Sequence, residues 1–139
     1  MRIAATTLTV PTHGKGFYAF TDQVSGWLSK QSASNGLLTV FIQHTSASLV
    51  IQENADPDVM LDLRDFFERL VPADVRGYRH TAEGPDDMTS HIRSTLTHTS
   101  LTIPVADGEM TLGTWQGLYV FEHRAQPHRR TVVVQFLGE

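Results

Sequence analysis

Twenty residues, Val40 to Val59, constrain the fold more than any other part of the chain: VFIQHTSASLVIQENADPDV. They open with period-two alternation, Val40 and Ile42 on one side, the pattern of a strand with one buried face. Three hydroxyls follow, Thr45, Ser46 and Ser48, and then a second apolar run, SLVIQE. The stretch closes on Asp56-Pro57-Asp58, a helix start. Asp56 can accept from the first free amides, Pro57 sits where its missing N–H costs nothing, and Asp58 complements the helix dipole. Strand, polar turn, strand and helix thus follow one another with little chain between them.

The rest of the chain extends the same reading. RIAATTLTV alternates and is rich in β-branched residues, a first strand. THGKG is a turn and FYAF a short strand. A helix follows with Thr21 as N-cap, an apolar stripe of Val24, Trp27 and Leu28, and Gly36 as a left-handed cap after SASNG. LLTVFIQ is a strand. In the helix after Asp56, residues Met60, Leu63, Phe67 and Leu70 recur at helical spacing. VPADVRGYRHTAEGP is an irregular segment long enough to suggest a functional loop. DDMTSHIRSTLTH is a third helix with Met88, Ile92 and Leu96 on one stripe. SLTIPV, a turn at Asp107-Gly108, EMTLGTWQGLYVFEH and RTVVVQFLG complete the chain as strands. The expected fold class is α+β, one domain over residues 1–139, mostly antiparallel with three helices.

With 139 residues, 40% hydrophobic and 19% charged, the chain can bury a full core without staples. It has no cysteine, which excludes disulfides and thiolate metal sites. A net charge of −4 argues against general nucleic-acid binding. No stretch has the apolar length of a membrane span, and the first residues are too polar for a signal sequence. A cytoplasmic protein with no membrane and no nucleic-acid partner is the expectation. Seven histidines are the unusual entry in the composition, and histidine is the commonest metal ligand.

Three segments carry candidate chemistry. His44 continues the buried face of Leu38, Val40 and Ile42, at the mouth of the core. It is either a core histidine satisfied by the backbone or a functional one. Thr45, Ser46 and Ser48 are candidates to cradle an anion, or simply to bond the local backbone. In DDMTSHI, Asp87 and His91 are four residues apart on one helix face, a half-site for a divalent metal. One of Asp86 and Asp87 also serves as the helix cap. Glu122 follows Leu118 and Val120 on a face that should be buried. A buried carboxylate needs a cation, a metal or a proton. His44, His91, an arginine or an ion would serve, and a structural pair with Arg124, Arg129 or Arg130 is the plain alternative. Arg129 and Arg130 in PHRR could hold a phosphate. Gln116 is a candidate for lining a pocket beside Trp115. Glu53 and Asn54, unlike Asp56, are not explained by the helix start and are expected in a polar loop facing His44.

The segments HTSASLVIQENADPDV, GPDDMTSHIRSTL, LTIPVADGEMTLGTWQGLYVFEHR and HRRTVVVQFLGE together resemble the YjbQ-type family of small proteins. These segments make up a little under half of the chain. It implies an α+β fold on a β-sandwich-like core, assembled as a homotrimer. It also implies a pocket lined by His44, Asp87, His91, Gln116 and Glu122, with room for a metal. A weak thiamine phosphate synthase activity is implied as well, joining a pyrimidine diphosphate to a thiazole phosphate with release of pyrophosphate.

The reading that results is a small-metabolite enzyme, a transferase. His44, Glu122 and Gln116 are its expected catalytic groups. Thr45, Ser46, Ser48, Asn54 and Arg130 are its expected contacts to an anionic or phosphorylated substrate. His44, Asp87 and His91 are expected to hold a divalent metal, zinc or magnesium. The alternative is a non-catalytic trimer that binds a metal or metabolite.

Overall fold

Alternation is kept strictly along the strand Gly36–Ile42, where Leu38, Val40 and Ile42 are buried and Leu37, Thr39 and Phe41 face out. The computed structural model describes all residues 1–139. Its elements in chain order are β1 (Arg2–Thr12), β2 (Gly16–Ala19), α1 (Thr21–Ser29), β3 (Gly36–Ile42), β4 (Ala47–Glu53), α2 (Pro57–Leu70), α3 (Asp87–Leu96), β5 (Ser100–Ala106), β6 (Glu109–Met110), β7 (Gln116–Glu122) and β8 (His128–Gly138). Every strand pairing is antiparallel. One sheet has the order β1-β8-β3-β5-β6 and the other β2-β7-β4. The apolar core lies between them, with Val40, Val134 and Phe136 from the larger sheet meeting Leu49, Leu118 and Val120 from the smaller. Val24 and Leu28 of α1 close one side. The fold is α+β with three helices, as the sequence pattern predicts.

The helix start after Asn54 forms as its residues dictate. The Asp56 carboxylate accepts from the Asp58 amide at 2.9 Å, and Pro57 is the first helical residue. Asp56→Ala is expected to lower stability by about 1 kcal/mol, read as a shift in the urea midpoint at unchanged slope. At the hairpin, Asp107 (φ 52°) and Gly108 (φ 81°) supply the two positive dihedrals of a tight turn.

Four local expectations are corrected. Thr21 does not cap α1: its hydroxyl accepts from the Leu118 amide at 2.9 Å, and the cap position is Phe20. Gly36 opens β3 instead of ending a helix, and a Cβ there would collide with the Leu137 carbonyl oxygen. The run from Glu109 to His123 is not one strand. It crosses between sheets at residues 111–115, so that β6 and β7 belong to different layers. Finally, α3 turns its polar side inward. Asp87, Thr89, Ser90 and Arg93 are buried while Leu96 is 57% exposed. That inversion is a local conflict between pattern and packing, of the kind found at functional sites.

β7 is the middle strand of the smaller sheet, and residues Gly117–Glu122 are all buried. One face packs on the larger sheet. The other meets aromatic rings: Phe121 stacks on Phe17 at 4.1 Å and meets Phe67 of α2 edge-on at 5.0 Å. Glu122 and His123 are therefore enclosed whichever way they point. No helix is long and apolar enough to cross a membrane.

Candidate functional site

The first turn of α3 is the centre of the site. Asp87 is buried there, and its two carboxylate oxygens have different partners. Oδ1 accepts from Arg124 Nη1 at 2.6 Å, while Oδ2 faces His80 Nε2 at 2.5 Å and His91 Nε2 at 3.2 Å. Arg124 also donates to Asp86 Oδ2 at 3.2 Å and to the Glu83 carbonyl at 3.1 Å. One guanidinium thus ties the irregular segment 71–86 to the helix start and brings His80 over it. The ligand atoms of His80, Asp87 and His91 all lie within 4.8 Å of one another, so the group can hold a metal ion. Burial, the largest single influence, pushes the Asp87 carboxyl up. The His80 hydrogen bond with the charges of His91 and Arg124 outweighs it and holds the group below its ordinary value.

His91 is fixed from its far side. Its Nδ1 lies 2.8 Å from the Thr45 carbonyl, an acceptor only, so Nδ1 carries a proton and donates. Nε2 then either carries a second proton and donates to the Asp87 carboxylate at 3.2 Å, making His91 the cation that helps hold Asp87 ionised, or presents a lone pair to it. Two lone pairs so placed repel unless a cation lies between them, either a second proton or a metal. A ring nitrogen held by a carbonyl on its far side is the usual setting of a metal-ligating histidine. The 3.2 Å span matches a tetrahedral edge, roughly 3.3 Å for ligands about 2 Å from a metal, whereas His80 and Asp87 at 2.5 Å are in direct hydrogen-bond contact and would have to part to admit an ion.

His44 is not part of this group. Gln43 donates to the Thr131 carbonyl at 3.1 Å, and the Thr131 amide gives its return bond to His44 Nε2 at 2.8 Å. His80 takes the ligand position expected of His44, because β3 leaves the sheet at Ile42 and the imidazole replaces the next carbonyl in the ladder. Burial, followed by the charge of Arg130, pushes the His44 pKa down.

Glu122 and Arg130 answer each other. Arg130 Nε donates to Oε1 at 2.7 Å and Nη2 to Oε2 at 2.5 Å. Thr12 adds a hydroxyl at 2.6 Å, and the His123 and Arg124 amides donate at 3.1 Å each. Burial pushes the Glu122 carboxyl up, but the bonds from Arg130 and Thr12 and the Arg130 charge hold it below the ordinary value. Of the arginines weighed from the sequence, Arg130 is the partner. The pair binds and neutralises itself, which leaves Glu122 no free oxygen for catalysis.

The remaining candidates divide by position. Thr45 orients His91 through its carbonyl, and Ser46 Oγ accepts from Arg130 Nη2 at 3.0 Å. Ser48 is buried: it meets His123 Nε2 at 2.9 Å and accepts from Thr97 Oγ1 at 2.6 Å, out of reach of a substrate. Gln116 lies at the opposite end of β7 from Glu122, roughly 20 Å away over six residues of strand. Its Oε1 accepts from the Gly113 amide at 2.8 Å. Asn54 donates to the Thr114 and Gln116 carbonyls, and Glu53 Oε2 accepts from the Ala55 amide at 2.7 Å. These three hold a turn and a crossover at the far end from His44. Sequence reasoning missed His80, Arg124 as the organiser, and His123. The signal for His80 was available: a histidine seven residues before Asp87, inside the segment already marked as a functional loop.

The sequence matches the family described as UPF0047 protein YjbQ-like over residues 6–139. UPF0047 protein sll1880 of Synechocystis is 52% identical over 95% of this chain and 90% of its own. YjbQ of Escherichia coli O157:H7 is 44% identical over 96% of each. Among solved structures, the conserved hypothetical protein TT1486 of Thermus thermophilus superposes with a TM-score of 0.84 at 35% identity, covering 95% of this chain and 99% of that one. The hypothetical protein APE1520 of Aeropyrum pernix gives 0.84 at 30% identity over the whole of both. On sequence and on fold, the chain belongs to the UPF0047, YjbQ-like family.

Proposed function

We propose that this protein is a metal-dependent enzyme acting on a small anionic metabolite, with one divalent ion held by His80, Asp87 and His91. The observation that carries the reading is the convergence of one ligand atom each from His80, Asp87 and His91 within 4.8 Å, with His91 Nδ1 already committed to the Thr45 carbonyl. Two imidazoles and one carboxylate suit zinc. Magnesium prefers an all-oxygen shell that keeps several waters, so the donor set favours zinc over magnesium. Three protein ligands leave a position free for water or substrate, as in catalytic zinc sites. A bound zinc would polarise a substrate oxygen or acidify a bound water. The chain's own residues supply orientation: the Thr45 carbonyl sets the His91 tautomer, and Arg124 leaves only one Asp87 oxygen free.

Thiamine phosphate synthase, a transferase activity, is the first reaction to test, on the strength of the family resemblance. Purified protein is expected to hold about one zinc per chain. His91→Ala and Asp87→Asn are expected to weaken zinc binding more than about tenfold. Elemental analysis and competition with a chromogenic chelator measure both. Turnover, read as pyrophosphate release, should fall with the metal. Wild-type turnover in metal-stripped protein or in His91→Ala would overturn the metal-dependent mechanism.

The second reading is a non-catalytic binding protein assembled from several copies. One observation favours assembly: Ile3, Leu137, Leu37 and Pro104 form an apolar row across the outer face of the larger sheet, all of them exposed. Stoichiometric zinc retention in a trimer, without turnover, would select this reading.

A further inference from the structure

The Arg130 side chain is almost wholly buried, at 3% exposure, and its nitrogens have unequal occupations. Nε and Nη2 serve Glu122, and Nη2 also reaches Ser46. Nη1 has one neighbour, His44 Nδ1 at 3.3 Å. Whether that contact is a hydrogen bond depends on the His44 tautomer. Gln43 and Thr131 face each other as a hydrogen-bonded antiparallel pair, so the Thr131 amide points toward β3 and needs an acceptor there. His44 Nε2 fills that role at 2.8 Å, closer than the Arg130 contact. A neutral imidazole has one lone pair, and the amide uses it. Nδ1 therefore bears the proton. Nδ1–H and Nη1–H are then two donors 3.3 Å apart with no acceptor between them.

Adjacent donors of this kind, one on a buried cation, are complementary to a single oxyanion. Residues His44, Thr45 and Ser46 also line an open hollow of about 460 Å³, room enough for a phosphoryl group. Arg130 lies behind this lining and reaches the hollow through its contact with His44, and the same segment orients His91 through the Thr45 carbonyl.

We infer that His44 Nδ1–H and Arg130 Nη1–H form an oxyanion seat, suited to a phosphoryl oxygen of the substrate and separate from the metal. The inference extends the enzyme reading, since it names phosphorylated compounds as the substrate class. The seat itself does not require the metal.

Two variants at one position test it. In His44→Gln the side-chain oxygen reaches the place of Nε2, keeping the acceptor for Thr131 and losing the Nδ1 donor. In His44→Asn the side-chain amide sits at the place of Nδ1, keeping the donor and losing the acceptor. Metal-stripped wild-type protein is titrated with inorganic phosphate while the nitrogen resonances of the His44 ring and the Arg130 guanidinium are followed. The ring is expected to show the Nδ1–H tautomer, and both sets of resonances are expected to move on binding. His44→Gln is expected to weaken phosphate binding about tenfold or more, and His44→Asn to keep it within about threefold. An Nε2–H tautomer, or His44→Gln binding phosphate as the wild type does, would overturn the seat. So would binding that appears only after zinc is added and ignores His44→Gln, because the anion would then sit on the metal. Zinc content measured on the same samples keeps the two readings apart: phosphate binding at His44 in a protein that takes up no zinc supports the seat and removes the metal.

Discussion

The Glu122→Gln variant is expected to lose about 3–5 kcal/mol of stability, the cost of leaving one member of a buried ion pair alone. Glu122 is fully buried, accepts five hydrogen bonds, and faces a guanidinium that is itself 3% exposed. The amide is nearly isosteric, so packing is preserved and the loss reports on charge and hydrogen bonding. Gln presents one acceptor oxygen where the carboxylate has two, and it turns an NH₂ toward donors. The double variant Glu122→Gln with Arg130→Met removes the stranded cation and is expected to recover part of the loss. Denaturant unfolding of the two single variants and the double gives the coupling. A single-variant cost below about 1 kcal/mol would show that the pair does not hold the strand ends together, and a surface-type pair would fit instead.

Acid should destabilise the protein well before its carboxylates titrate. Burial, then the charges of Arg93, Arg130 and Lys15, push the His123 imidazole from 6.5 down to about 3. Its Nδ1 is buried without a partner, so the neutral ring has no hydrogen bond to gain on protonation there. Between those values the unfolded chain binds a proton that the folded one refuses. Stability therefore falls as pH falls, at about 1.4 kcal/mol per pH unit for this one group. The loss starts near the ordinary histidine value and is complete near pH 3. Over that range it amounts to roughly 4–5 kcal/mol. Glu122, whose folded value is lowered, adds a loss in the same direction only below its ordinary value of 4.5. The interval from 6.5 to 4.5 thus isolates the histidines, with His44 adding a smaller share in the same sense. His123→Gln, which keeps a polar tip for Ser48 but does not titrate, should flatten most of the slope there. An unchanged slope in that variant would assign the acid sensitivity to another group.

How far each residue could be read in advance follows from whether its role is local. Asp56-Pro57-Asp58 was legible because a helix cap is made within three residues. The Asp107-Gly108 turn was legible for the same reason, since its dihedrals belong to its own residues. The burial of Glu122 followed from period two along β7, but the choice of Arg130 over Arg124 did not. Both arginines are near in sequence, and only the pairing of β8 between β1 and β3 aims Arg130 inward. Arg124, just past the end of β7, turns instead to Asp86 and Asp87. The family resemblance implies one pocket for Gln116 and Glu122, yet they stand at opposite ends of one strand, which separates them by its full length. The stripe on α3 misled because helical spacing marks a face without saying which face the fold buries.

By itself the sequence determined the element order, the α+β class, the absence of thiolate chemistry, and the Asp87–His91 half-site, since i and i+4 meet on any helix. Those are consequences of bonds and spacings a few residues long. The tertiary structure alone decided that His80 joins Asp87 and His91 in a group that could hold a metal ion, while His44 turns away to serve the Thr131 amide. It also decided that Glu122 and Arg130 neutralise each other inside the core. Each of these joins residues far apart in the chain or on different elements. Their meeting depends on sheet order and on the path of an irregular loop, which no local spacing encodes.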